Sequence, residues 1–178
     1  MMRGYFAIGA EGLSKPMNFG NLMRSAHAFG ASFVFTVDAT REIGRVLSDT
    51  SRSAEHVPYY AWKSIDEMEL PKKCSLVGVE LMEGAIDLPS FRHPPQAAYV
   101  LGPEQGSLSD EMLERCDFTI KIPTRFCINV ATTGAIVMYD RMRVFGKFAP
   151  RPVRAGAPTE ERAEPVHGKP LFRGGKPA

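Results

Sequence analysis

Between Gly4 and Phe145, short apolar runs of strand length alternate with stretches whose apolar residues recur at steps of three and four. This alternation constrains the fold more than any other feature. Buried strands separated by helices favour a layered α/β fold, a mainly parallel sheet flanked by helices. Strands are expected at Gly4–Gly9, Ser32–Val37, Val57–Trp62, Ser75–Leu81, Ala97–Leu101 and Phe118–Ile122. Helices are expected from an Asn18 cap to a stop at Gly30, over Ser64–Glu69, over Ser109–Arg115, and from about Ile128 to Phe145. The apolar stripe of the first is Phe19, Leu22, Met23, Ala26 and Phe29; that of the last is Ile128, Ala131, Ala135, Met138, Met142 and Phe145.

The chain has 178 residues, 44% of them hydrophobic, which suits one domain with one core. From Lys147 onward the sequence carries six prolines, four glycines and no apolar periodicity. Residues 1–146 therefore read as a single domain and 147–178 as a disordered tail. That tail holds seven Lys and Arg against three Glu, whereas the body has fifteen basic and seventeen acidic residues. A basic tail suits either a polyanionic partner or simple solvation.

The three cysteines, Cys74, Cys116 and Cys127, lie far apart and match neither a disulfide framework nor a metal site. A reducing cytoplasm is expected, with no metal. The first residues lead into a short apolar run rather than a signal peptide, and no run approaches the roughly 20 residues that span a bilayer.

Three segments carry chemical character, each at the end of an expected strand. In Asn18-Phe19-Gly20-Asn21-Leu22-Met23-Arg24-Ser25-Ala26, Asn21, Arg24 and Ala28 share the helix face opposite the apolar stripe. Asn18 suits a helix cap or a ligand contact; Arg24 suits a phosphate or ribose, or plain solvent exposure. Leu101-Gly102-Pro103-Glu104-Gln105-Gly106-Ser107-Leu108-Ser109 follows a buried strand. It is neither a dinucleotide fingerprint nor a P-loop. Its glycines permit close backbone approach to a ligand, and Glu104 is placed to orient one; an ordinary turn capped by Ser107 or Ser109 reads equally well. In Ile122-Pro123-Thr124-Arg125-Phe126-Cys127-Ile128-Asn129-Val130-Ala131 a strand stops at proline before the last helix. Asn129 suits a cap or a side-chain contact. Cys127 lacks an identifiable histidine to activate it and reads as a small buried residue.

Taken in order, the three segments resemble the signature of the SpoU (TrmH-like) family of the SPOUT superfamily of RNA methyltransferases. The first resembles N-x-G-x-x-x-R-x-A through Asn18, Gly20, Arg24 and Ala26. The second resembles G-x-E-x-x-G-L-S through Gly102, Glu104, Gly106, Leu108 and Ser109, with one residue extra between Gly106 and Leu108 and one fewer between Glu104 and Gly106. The third resembles I-P-M…S-L-N-V-S through Ile122, Pro123, Cys127, Ile128, Asn129 and Val130.

The resemblance implies a deep C-terminal trefoil knot (the α/β knot), which periodicity alone could never suggest. It also implies S-adenosylmethionine as cofactor, a homodimer, and methylation of a ribose 2′-hydroxyl in transfer or ribosomal RNA. Arg24 would be the central catalytic residue and would complete the partner subunit's site, with Asn18, Glu104 and Asn129 in support. The cofactor would meet Val79, Gly102, Ile122, Cys127 and Ile128. Arg24 is expected to act either as a base or as an electrostatic clamp, the second being easier to reconcile with a guanidinium that keeps its proton.

Two departures stand out. Cys127, whose thiol is the weaker donor, replaces the usual serine, and the loop from Pro123 to Cys127 is short. No RNA-binding domain precedes the motifs, which would leave RNA capture to the dimer surface and the tail. A non-catalytic knotted protein that binds RNA and retains the cofactor is the alternative. A nicotinamide oxidoreductase fits the strand–helix pattern but lacks the glycine fingerprint.

Overall fold

The computed structural model describes residues 4–40, 43 and 56–159. It divides into two units, Met1–Phe145 and Gly146–Ala178. In the first, the strands are β1 (Tyr5–Glu11), β2 (Phe33–Val37), β3 (Tyr59–Trp62), β4 (Ser75–Val79), β5 (Ile86–Asp87), β6 (Gln96–Leu101) and β7 (Phe118–Lys121). The helices are α1 (Pro16–Phe29), α2 (Asp110–Arg115) and α3 (Val130–Phe145). In the second unit, residues 146–159 form bends and a turn without helix or strand. The rest of the tail, and the disorder expected there, lie outside the described residues.

The strands form one sheet in the order β3-β2-β1-β6-β4-β7-β5. Every pairing is parallel. Apolar side chains are buried on both faces, which explains why β1, β2, β4 and β6 read as continuous rather than alternating apolar runs. One face packs against α1 and α3. The other is covered by α2 and the 65–70 loop.

The two long helices meet where α3 has no side chain. A Cβ on Gly134 would lie 2.6 Å from Leu22 Cδ1 of α1 and 3.2 Å from Ile8 Cδ1 of β1. This close approach rotates the buried stripe of α3 away from the one expected. It runs Ala131, Gly134, Val137, Met138 and Arg141, while Ala135, Met142 and Phe145 are only half-buried. Arg141 is buried because its guanidinium donates to the carbonyls of Pro94 (2.7 Å), Pro95 (2.8 Å) and Tyr5 (3.2 Å) and to the Tyr99 hydroxyl (3.1 Å). Beside it, His93 Nδ1 pairs with Tyr99 Oη at 2.6 Å and Nε2 with Asp140 at 3.0 Å. Tyr99 already accepts from Arg141, so its single proton goes to His93 and the imidazole presents Nε2–H to Asp140. Burial of His93 holds its pKa down despite that carboxylate.

Three local expectations fail for identifiable reasons. Helix α1 starts two residues before Asn18, with Pro16 in its first turn and Lys15 as a cap without a side-chain bond. Ser64–Glu69 is a turn rather than a helix. Its Ser64 hydroxyl and Glu67 carboxylate hydrogen-bond nearby backbone amides, and Pro71 discourages continuation. The two-residue strand β5 goes unpredicted because Ile86–Asp87 is too short to show a period. Helix α2 is capped by Ser109, whose Oγ accepts from Met112 N at 3.1 Å, and not by Ser107.

Candidate functional site

Parallel strands all end on one edge, and the loops after β1, β4, β6 and β7 converge there. Between them lies an open cavity. Its floor and apolar wall come from Val79, Leu101, Gly102, Ile122, Ile128 and Val130. Its polar groups include Lys15, Asn18, Glu80, Glu104, Thr124, Asn129 and Thr133, with Cys127 at the side. Gly102 is a tight cradle: a Cβ there would lie 3.1 Å from Leu108 N and 3.2 Å from Glu80 Oε2. Any side chain would push the loop into the cavity or against that carboxylate.

One hydrogen-bond chain ties the three motif segments together. Asn18 Nδ2 donates to Glu104 Oε1 at 3.0 Å, and Asn129 Nδ2 donates to Asn18 Oδ1 at 3.0 Å. Asn129 Oδ1 then accepts from Ala131 N (2.9 Å) and Thr132 N (3.2 Å), capping α3. Glu104 can only accept when ionised, and helix amides can only donate, so both amide orientations are fixed by chemistry. Each amide retains one N–H beyond this chain; Asn129 Oδ1 accepts two bonds and Asn18 Oδ1 one.

Glu104 is fully engaged. Oε1 accepts from Lys15 N (2.8 Å) as well as Asn18; Oε2 accepts from Ser14 N (3.0 Å) and Ser14 Oγ (2.9 Å). Partial burial pushes its pKa up, but hydrogen bonds from Asn18 and from the Lys15, Ser14 and own-residue amides outweigh that and bring it down to about 2. A carboxylate with four donors and so low a pKa is an anchor and not a proton acceptor near neutrality. It also ties down Ser14 and Lys15, the two residues just before α1, without bonding the helix's own backbone N–H groups.

All the site residues read from the sequence except Arg24 line this cavity. Arg24 is exposed on the outer face of α1. It lies six residues beyond Asn18, about 9 Å along the axis. Asn18 is buried, at 7% exposure, rather than sitting at a helix end. Cys127 is exposed, contrary to the buried reading, because the 123–127 loop stands clear of the core. Sequence reasoning missed Lys15, Glu80 and Thr133. Glu80 had a signal, being an acid next to the Val79 strand end. Its carboxylate accepts from Leu108 N (2.9 Å) and Leu81 N (3.1 Å), which joins the β4 and β6 loops. Among the described residues no helix is long and apolar enough to cross a membrane.

The same α/β fold is found in solved RNA methyltransferases. The AdoMet-bound rRNA methyltransferase from Sinorhizobium meliloti superposes with a TM-score of 0.70 at 20% identity, covering 80% of this chain and 57% of that one. The SpoU methyltransferase AviRb from Streptomyces viridochromogenes, in complex with AdoMet, gives 0.69 at 22% identity, covering 83% and 61%. The chain belongs to the SpoU rRNA methylase family, whose model matches residues 5–139.

Among curated relatives, a putative TrmH family tRNA/rRNA methyltransferase of Staphylococcus aureus is 28% identical over 145 residues, 75% of this chain. The mouse (Mus musculus) tRNA (guanosine(18)-2'-O)-methyltransferase TARBP1 is 27% identical over 154 residues, 80% of this chain. The chain spans 56% of the staphylococcal relative and 10% of the mouse one.

Proposed function

We propose that this chain binds S-adenosylmethionine in the carboxyl-edge cavity and methylates a ribose 2′-hydroxyl of transfer or ribosomal RNA. The observation that carries this reading is the Glu104–Asn18–Asn129 chain, which holds three loops around one cavity. The residues present fit the cofactor. Val79, Leu101, Ile122, Ile128 and Val130 offer an apolar wall for an adenine, Gly102 admits close backbone approach, and Glu80 and Glu104 suit a cationic sulfonium. When bound, the cofactor supplies an electrophilic methyl group whose departure leaves a neutral thioether.

The protein's part is alignment and charge stabilisation. Glu104, Asn18 and Asn129 fix the loops; Glu104 has its oxygens occupied and a pKa of about 2, and the two amides are not bases, so none of them accepts the ribose proton. Arg24 is exposed and outside the cavity of its own chain. In the homodimer that belongs to this proposal, it reaches the cavity of the partner subunit. There its guanidinium keeps its proton and stabilises the negative charge that develops on the ribose oxygen as the hydroxyl proton passes to solvent water. The deep C-terminal knot is part of the same reading. The sheet order supports it, since β4 lies between the later strands β6 and β7, and an experimental chain trace through residues 80–145 tests it.

The deciding experiment incubates the protein with labelled S-adenosylmethionine and unmodified total RNA, then digests the RNA to nucleosides. A labelled 2′-O-methylnucleoside, absent with Arg24→Ala, is the expected result. Tight cofactor binding without transfer to any RNA would instead favour a non-catalytic RNA-binding protein.

A further inference from the structure

Among the described residues of 4–145, the two most exposed large hydrophobic side chains lie beside cavity-lining residues in the sequence. Met17 is 78% exposed and Phe126 is 74% exposed. Met17 lies between Lys15 and Asn18, and Phe126 between Thr124 and Cys127, all four of which line the cavity. The two segments are tied to each other through the Asn18–Asn129 bond. Each exposed apolar side chain also has a cation close in sequence, Lys15 on one side and the exposed Arg125 on the other. An apolar surface beside a cation is the combination that takes a nucleotide, base on one and phosphate on the other.

We infer that Met17 and Phe126 form an apolar clamp at the cavity mouth that takes the base of an unpaired RNA nucleotide, with Lys15 and Arg125 on its phosphates. The inference rests on the proposed RNA substrate and narrows it. A base inside a helix has both faces covered by its neighbours, so side chains reach them only in loops, bulges or single strands. The acceptor is therefore unpaired when it is bound.

The test is equilibrium binding of a labelled single-stranded RNA oligonucleotide of mixed sequence, with saturating S-adenosylhomocysteine, compared with the same strand in a duplex. Phe126→Ala is expected to weaken single-strand binding about tenfold, and Phe126→Trp to restore it. Met17→Ala, on a different element, is expected to weaken it as well. Duplex binding and S-adenosylhomocysteine affinity should not change. Unchanged single-strand affinity in Phe126→Ala, or an equal loss for the duplex, overturns the clamp. So does a change of oligomeric state in Phe126→Ala by light scattering, which would make a second copy of the chain the occupant. Clamp behaviour without methyl transfer would refute the proposed activity alone; methyl transfer with unaltered Phe126→Ala binding would refute the clamp alone. A wild-type protein that binds no RNA would refute both.

Discussion

Asn129 donates its side-chain amide to Asn18 Oδ1 at 3.0 Å, across 111 residues of sequence. Asn18 passes the constraint to Glu104 through its own Nδ2. Single substitutions at either asparagine should therefore have overlapping effects. Asn18→Ala and Asn129→Ala are each expected to lower stability by about 1–2 kcal/mol. The double variant should lose clearly less than the sum, with a coupling of at least about 0.5 kcal/mol in denaturant unfolding. Strict additivity would mean the two amides do not cooperate.

Glu104 gives the site a predictable acid limit. Its folded pKa of about 2 lies below the ordinary 4.5, so its ionised form is favoured by folding. The stabilisation is complete above pH 4.5 and is lost as the pH falls toward 2. Glu104→Gln should be less stable than the wild type at neutral pH, and the gap should close on acidification through that window. A gap that is constant down to pH 2 would argue that Glu104 acts by packing alone.

Arg24 offers a test of shared sites. If it serves the partner's cavity, Arg24→Ala and a cavity-blocking variant such as Gly102→Leu are each inactive alone. Mixed and allowed to exchange subunits, they should regain activity, because hybrid dimers keep one intact combination. The check is methyl transfer before and after mixing; no recovery in proven hybrids would place Arg24 in its own chain's site.

Much of this was legible locally and some of it could not be. The long apolar runs at β1, β2 and β6 announce themselves because both faces of the sheet are covered. Three motif segments mark strand ends, and strand ends of a parallel sheet necessarily meet. What escaped was non-local. Asn18 looks like a cap until its side chain is seen to donate to Glu104, 86 residues away. The burial of Arg141 depends on the carbonyls of Tyr5, Pro94 and Pro95, all more than 40 residues away in sequence. The exposure of Cys127 depends on how a short loop leaves the core, and no spacing rule records that.

Arg141 should matter to stability and not to ligand affinity. Replacing it with Met leaves several carbonyls short of a donor, at a cost of about 3 kcal/mol. Thermal unfolding should reveal that loss while cofactor affinity of the folded protein stays the same. A neutral effect would mean water replaces the guanidinium.

The tail provides a charge test. Removing residues 147–178 takes away seven basic and three acidic residues. RNA binding should weaken most at low salt, with cofactor binding intact. Equal RNA affinity with and without the tail would assign it to solvation.

The bond between Asn18 and Asn129 also has a consequence for how the protein is made. Its two halves are separated by most of the sheet, and parallel pairing of distant segments is slow. A nascent chain that has emerged only as far as β7 holds every strand but lacks the amide that locks the first loop. A chain that stops there cannot complete the Glu104–Asn18–Asn129 chain, so the three loops are joined only once the start of α3 is in place.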